Sequence, residues 1–318
     1  MEIVKAVALL LVGFVFLLKG ADFFVDGSSS VAKKLKVPSL IIGLTIVAMG
    51  TSLPELSVSI TASMANSNAL AVSNVIGSNI FNLMVVLGMS ALMSVIEVSP
   101  NVTKKDFPFS VVCAVLLLVL GYLGMELGRA DGAIFLVIFV GFILYQVLSA
   151  LRARKAALSA ESDEDEEIKI IPMWLAIIYI VGGAAAVKFG GDWTVNGAKT
   201  LAAAFGLSEN LIGLTIVAMG TSLPELVTSV VAARKNELDM AVGNVVGSNV
   251  FNILMILGVA SALSPISFIM ENVIDICVLL GFSLVVWVFC AVKKKLGKLE
   301  GAIMLLIYAA YAVYICMR

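Results

Sequence analysis

The chain has 318 residues, 61% of them hydrophobic and 14% charged, with a formal net charge of −1 and no histidine. Soluble domains are near a quarter charged, so this composition excludes a soluble enzyme or a nucleic-acid-binding domain and predicts an all-α polytopic membrane protein. Lack of histidine removes the commonest pH switch and metal ligand, and no cofactor motif occurs, so no cofactor is expected.

A spanning helix needs about 20 apolar residues. Stretches of that kind lie near 3–22, 38–63, 70–94, 107–126, 131–152, 172–191, 208–233, 240–264, 272–292 and 298–317. The first runs on into LLKGADFF instead of a small-x-small cleavage site, so it reads as a retained helix. The strongly polar segment, 152–169, falls between the fifth and sixth stretches and contains ESDEDEE (161–167). It reads as a solvated loop. A regulatory Ca²⁺ site is the alternative, though the run lacks the glycine and spaced ligands of an EF-hand. Cys113, Cys277, Cys290 and Cys316 all lie in apolar stretches and read as small buried hydrophobes.

Two segments occur twice. IIGLTIVAMGTSLPEL (41–56) returns as LIGLTIVAMGTSLPEL (211–226), and AVSNVIGSNIFN (71–82) returns as AVGNVVGSNVFN (241–252), both at an offset of 170 residues. ADFFVDG (21–27) and GDWTVNG (191–197) extend the likeness backward. The predicted organisation is a five-helix repeat over 1–152, a polar cytoplasmic linker over 153–171 and a second five-helix repeat over 172–318. An odd number of helices per half inverts the second half relative to the first.

Orientation follows from Lys and Arg. With the N-terminus outside, the inner loops contain Lys33, Lys34, Lys36, Lys104, Lys105, Arg152, Arg154, Lys155, Lys169, Arg234, Lys235, Lys293, Lys294, Lys295 and Lys298, fifteen of the 21 basic residues. Both termini are therefore expected outside. Short termini and a small loop fit a prokaryotic plasma membrane.

Each copy of GTSLPE puts a glutamate, Glu55 or Glu225, inside an apolar stretch. A charge in hydrocarbon is costly, and its default reading is functional. Pro54 removes a backbone donor and clashes with the carbonyl of Gly50, freeing carbonyls between Ala48 and Thr51 to line a cavity. Thr51, Ser52 and Glu55 share one face, and Ala218, Thr221, Ser222 and Glu225 repeat the set. Asn74, Ser78 and Asn82 form a second polar face, matched by Asn244, Ser248 and Asn252. Asn79 and Asn249 fall off that face and are expected to bond to backbone or a neighbouring helix. Lys19 and Lys188 lie toward helix ends and read as snorkelling cations, not partners of the glutamates. Hydroxyl, carboxylate and carbonyl oxygens are hard ligands suited to Na⁺ and Ca²⁺. Two carboxylates balance one Ca²⁺ or two Na⁺, and bidentate binding by both would supply four oxygens. One site then holds one set of ions or the other, which is the basis of exchange.

GTSLPE twice, each followed by a G-S-N helix, resembles the α-repeats of the Ca²⁺/cation antiporter superfamily, most nearly the prokaryotic sodium/calcium exchangers. The resemblance covers the whole chain. It implies exchange of several Na⁺ for one Ca²⁺ by alternating access, with Glu55 and Glu225 as central Ca²⁺ ligands. By the same motif match, Ala48, Thr51, Ala218 and Thr221 supply backbone oxygen. Ser52, Ser78, Ser222 and Ser248 act as Na⁺ ligands, and Asn82 and Asn252 form the middle pair. Many members, including the potassium-dependent branch, carry Asp at the position of Asn252, so potassium dependence is not implied here. The cation/proton branch places an acid after a G-N motif in this second helix, and neither copy has one.

The sequence thus predicts a Na⁺/Ca²⁺ antiporter whose partners are the two ions and the bilayer, with a single chain as the working unit. The alternatives are a Ca²⁺/H⁺ exchanger using the same glutamates and, from another class, a cation channel. Channel filters are usually built from rings of subunits, and inverted halves favour a transporter. An enzyme lacks support, as no Ser-His pair, metal triad or cofactor motif is present.

Overall fold

A computed structural model describes residues 2–64, 69–159, 171–206 and 218–317. Within them α1 is Glu2–Leu35, α2 is Ser39–Thr51 and α3 is Leu53–Met64. The α4 helix runs through Ala69–Phe81, a π-helical segment at Asn82–Val86 and Leu87–Met93. Next come α5 (Val102–Gly124), α6 (Arg129–Ser159) and α7 (Met173–Ala204). The second half continues with α8 (Ala218–Gly220), α9 (Leu223–Arg234), α10 (Leu238–Leu263), α11 (Met270–Lys293) and α12 (Lys298–Met317). Eight described helices are long and apolar enough to cross a membrane, or nine if the bent pair α2–α3 counts as one span. Ten spans were expected. The acidic run 161–167 and the first part of the stretch 208–233 lie outside the described residues.

Burial separates centre from rim. In α4 and α10, 78% and 83% of the apolar window is buried, against 28% or less in the other spans. These two helices carry the second repeated motif. The rim presents bare apolar side chains such as Leu11, Val112, Val137, Val181 and Leu306, a surface that only lipid covers without cost.

Long α1 and α7, of 34 and 32 residues, pack along their whole length. At 1.5 Å per residue each is roughly 50 Å long, more than a hydrocarbon core of about 30 Å. Glycines at a seven-residue spacing make the seam: Gly13, Gly20 and Gly27 on α1, and Gly183, Gly190 and Gly197 on α7. A Cβ at Gly20 would sit 2.8 Å from the Val187 nitrogen, and one at Gly190 would sit 2.7 Å from the Gly13 carbonyl oxygen. Backbones can meet this closely only at glycine. Gly13 faces Gly190 and Thr194, while Gly27 faces Ala176 and Ile180, so the two helices are antiparallel.

The helical fold has one departure from an all-α plan. Two two-residue ribbons tie the halves together, β1 (Ile96–Glu97) with β4 (Lys295–Leu296) and β2 (Glu126–Leu127) with β3 (Ile266–Ser267), both antiparallel. Each ribbon takes one strand from each half. Short unpaired backbone at helix ends would otherwise need other partners.

Candidate ion-binding site

Both GTSLPE copies break their helix in the same way. The backbone leaves helical geometry at Ser52 (φ −82°, ψ 11°) and at Ser222 (φ −91°, ψ 7°). In the first copy the axis bends by 44°. The helices restart so that Glu55 and Glu225 lie in the first turns of α3 and α9, where the helix dipole favours a carboxylate. Both side chains are fully buried.

The two halves cross-brace each other. Ser52 donates to Glu225 Oε1 at 2.8 Å, and Ser222 donates to Glu55 Oε1 at 3.2 Å. Asn79 Nδ2 donates to the Asn249 carbonyl at 3.2 Å, and Asn249 Nδ2 donates to the Asn79 carbonyl at 3.3 Å. Asn82 Nδ2 donates to Asn249 Oδ1 at 3.3 Å, and Asn252 Nδ2 donates to Asn79 Oδ1 at 3.0 Å. Every one of these bonds has a counterpart 170 residues away.

What the network leaves over defines the site. Buried atoms with no hydrogen-bond partner include Oε2 of Glu55 and Glu225, Oγ of Ser78 and Ser248, and Oδ1 of Asn82 and Asn252. Buried polar atoms are nearly always satisfied. The carboxylate and amide oxygens carry no proton, the asparagine N–H groups being spent elsewhere, and the two serine hydroxyls can turn their protons aside and offer lone pairs. Acceptors without donors are what a hard cation takes. Among the described residues no three His, Cys, Asp or Glu side chains converge, so neutral oxygens must complete any coordination shell.

Each carboxylate keeps one oxygen clear of protein donors, not the two that fully bidentate binding from both glutamates would use. The serine hydroxyl fixes the other oxygen and with it the rotation of the group. Ala48 lies at the break as expected, but its carbonyl already accepts from the Ser52 amide at 3.1 Å, leaving one lone pair. Ala218 starts α8 in the equivalent place. Thr51 is fully buried and donates within reach of Val47 O, Ala48 O and Asn244 Oδ1, at 3.2, 3.3 and 3.1 Å. Thr221 Oγ1 makes no such bond and lies beside the Glu55 carboxylate, so the halves differ in how each threonine is held.

Asn74 and Asn244 turn their amide N–H groups away from the centre, although Asn244 Oδ1 still accepts from Thr51. They donate to Ser59 and Ser229, at 3.3 and 2.9 Å, one turn beyond the glutamates. Asn79 and Asn249 do bond to backbone, as expected, and they do more. Their Oδ1 atoms hold the amide N–H groups of Asn252 and Asn82, which turns those side-chain oxygens loose. Sequence reading missed that second role. It also missed the π-helical segments Asn82–Val86 and Asn252–Leu257, each beginning at a site asparagine. Such segments recur at functional sites, but no residue pattern marks them. Lys19 and Lys188 pair with Asp22 and Asp192, at 4.0 and 2.9 Å, and leave the glutamates alone.

The two sides of the site differ. A cavity of about 180 Å³ is lined by Pro54, Ser57, Thr221 and Pro224 at one end and by Asp192, Asn196 and Lys199 of α7 at the other. On the opposite side, α1 is tied to the turn between α9 and α10. Lys235 pairs with Asp22 and Asp26 at 3.3 and 2.8 Å, and Glu237 takes Lys33 at 3.1 Å, Ser39 at 3.0 Å and the Ser29 hydroxyl.

Known proteins share this architecture. The profile of the family described as "Sodium/calcium exchanger protein" matches residues 5–148 and 175–317. The chain belongs to that family. It is 42% identical over 266 residues to a putative antiporter CaxA of Alkalimonas amylolytica, covering 82% of this chain and 81% of that one. It is 32% identical to the sodium/calcium exchanger MaX1 of Methanosarcina acetivorans, covering 96% and 97%. A solved structure of the sodium-calcium exchanger NCX_Mj superposes with a TM-score of 0.84 at 32% identity, covering 97% of this chain and 98% of that one. Family and structural neighbours are transporters, and the chain is an integral membrane protein of the cation/Ca²⁺ antiporter class.

Proposed function

We propose that this chain exchanges Na⁺ for Ca²⁺ by alternating access at the site between Glu55 and Glu225. The observation that carries the reading is the set of matched buried oxygens on Glu55 and Glu225, Ser78 and Ser248, and Asn82 and Asn252, left without donors. Two carboxylates neutralise one Ca²⁺ or two Na⁺. Six to eight oxygens suit Ca²⁺. The glutamates and middle asparagines, with the carbonyls at Ala48, Thr51, Ala218 and Thr221, offer such a number. Ser52, Ser78, Ser222 and Ser248 add neutral oxygen at the flanks, where monovalent ions fit without further charge. Occupation by one set excludes the other.

Residues 1–152 and 172–318 act as inverted halves joined by the linker 153–171. Antiparallel packing of α1 on α7, its counterpart at the 170-residue offset, supports the inversion. With the lysine-rich ends inside the cell, both termini are outside. The cavity at Pro54 and Thr221 then opens outward, and the ion pairs of Lys33, Lys235 and Glu237 close the inner side. Sodium is the coupling ion because neither copy of the second motif carries an acid to move protons. A single chain holds a complete site.

The test is ⁴⁵Ca²⁺ uptake into proteoliposomes of purified protein loaded with Na⁺, against vesicles carrying a pH gradient or K⁺. An outward Na⁺ gradient drives uptake. Uptake driven by the pH gradient and indifferent to Na⁺ would make the glutamates proton carriers and overturn the sodium reading. Uptake without any counter-gradient would indicate a pore.

A further inference from the structure

We propose that the groove between α5 and α6 binds a phospholipid and selects an ethanolamine headgroup. The groove has a volume of about 480 Å³ and is lined by Lys105, Asp106, Phe109, Phe142, Tyr145 and Gln146, with Gly141 among them. It lies on the lipid-facing rim, away from the ion site.

Its two ends differ in chemistry. Phe109 and Phe142 stack with ring centroids 5.3 Å apart and planes 5° from parallel, forming an apolar wall. About one turn away on each helix are Asp106 and Gln146. Asp106 is 8% exposed, and Gln146 Nε2 reaches its Oδ1 only at 3.4 Å. A carboxylate this deep with one long hydrogen bond is costly. Lys105 beside it is exposed and forms no ion pair among the described residues.

An anion site would not include Asp106, and a cation site would not include Lys105. A zwitterion satisfies both. The phosphate of the lipid accepts from the Lys105 ammonium, and a primary ammonium donates to the Asp106 carboxylate. A choline headgroup has no N–H to give, and a glycerol headgroup brings no positive charge. The depth is right for a headgroup: Trp287 donates its indole N–H to the Thr103 carbonyl at 2.9 Å, and Tyr145 is 44% exposed. Trp and Tyr mark the membrane–water boundary. Acyl chain then runs along Phe109, Ile138 and Phe142. A Cβ added at Gly141 meets nothing within 4 Å, so the groove is open to the chain there.

The second half provides an internal contrast. Left-handed helix ends at Met125 and Lys294, and strands β2 and β4, set the local offset at 169. Asp275 then stands for Asp106, but Ile274 stands for Lys105, Ile315 for Gln146 and Ala310 for Gly141. The acid is common to both halves, whereas the pairing of acid with lysine, and the glycine beside it, belong to the first half alone, on the lysine-rich side.

The experiment offers purified protein in detergent an equimolar mixture of phosphatidylethanolamine, phosphatidylcholine and phosphatidylglycerol with matched chains. Native mass spectrometry reads the retained lipid. The parent should retain the ethanolamine lipid over the other two. Gly141→Phe, which fills the groove, should lose most of it while still binding Ca²⁺. Asp106→Asn removes a charge-assisted hydrogen bond, so preference for ethanolamine over choline should fall roughly tenfold with phospholipid still bound through Lys105. Equal retention of the three lipids by the parent, or preference for the glycerol lipid, overturns the proposal. So does unchanged ethanolamine retention in Gly141→Phe, whose Ca²⁺ binding reports that it is folded. Ca²⁺ binding at the glutamates does not depend on this outcome.

Discussion

Glutamine at position 225 should be a worse ligand than its shape suggests, and Ser52 is the reason. Ser52 donates to Glu225 Oε1 at 2.8 Å in a fully buried setting. In Glu225→Gln the hydroxyl keeps its acceptor only if the amide oxygen takes the Oε1 place. That turns the amide nitrogen, with two hydrogens, into the position of Oε2, the atom left free for a cation. The variant loses a charge-assisted ligand and presents a donor where an acceptor is needed. A hydrogen bond or ligand contact to a charged group is worth about 1.5–3 kcal/mol, so Ca²⁺ affinity should fall roughly 10- to 150-fold. Adding Ser52→Ala frees the amide to flip and offer its oxygen, so the double variant should bind Ca²⁺ better than Glu225→Gln alone. Two losses that combine to a gain are a signature of direct coupling. Titration calorimetry with Ca²⁺ in Na⁺-free detergent solution measures all four proteins. Near-parental affinity in folded Glu225→Gln would remove the glutamate from the centre. A double variant no better than the single one would refute the role given to Ser52. Glu55 with Ser222 repeats the test by symmetry.

Three further outcomes follow from particular contacts. Gly183→Ala should unfold at lower temperature in detergent, because its Cβ would lie 2.7 Å from the Phe24 nitrogen, whereas Gly182→Ala meets open space and should be neutral or better; overpacking of this kind costs about 1–3 kcal/mol, and equal melting temperatures would refute the seam. Burial pushes the Glu237 carboxyl up, but the Ser29 hydroxyl and Lys33 outweigh it and hold the group below its usual range. The tie it makes to α1 is therefore present above the ordinary carboxylate value of about 4.3 and lost as pH falls below it. Glu237→Gln should remove that part of the acid sensitivity and increase labelling of cysteines placed on the inner approach; unchanged acid unfolding and labelling would show that the tie holds nothing. In Asn252→Asp, the new acid must stay protonated to keep donating to Asn79 Oδ1 at 3.0 Å. Na⁺-driven Ca²⁺ flux should match the parent at low pH and depart from it, with a K⁺ response, as pH rises. Identical pH profiles with and without K⁺ would put this amide outside the ion path.

The sequence alone determined the class of molecule and the two copies of the motif that the proposed site is built from. Apolar length fixes a spanning helix because backbone groups in lipid have no other partners. Glu55 and Glu225 stood out because an acid in such a stretch is too costly to be incidental, and Pro54 located the break because proline cannot bond to Gly50. Those are local effects, so they are written in local residues. The glycine seam of α1 and α7 went unread, because only a partner helix gives a seven-residue spacing of glycines its meaning.

Which oxygens are left free in the proposed ion site was decided by tertiary contacts. Ser52 and Asn79 each belong to one half and orient a group on the other, Glu225 and Asn252. No periodicity within a helix reports a donor 173 residues away. For the same reason Asn74 and Asn244 share a helical face with Ser78 and Ser248 yet turn their N–H groups to Ser59 and Ser229. The difference between the sides is also tertiary. Thr51 and Thr221 have identical local sequence, but Thr51 lies within reach of Asn244, whereas Thr221 makes no such bond and lines a cavity. Identical repeats in one chain cannot fix which side is open, because that depends on how the halves lean on each other.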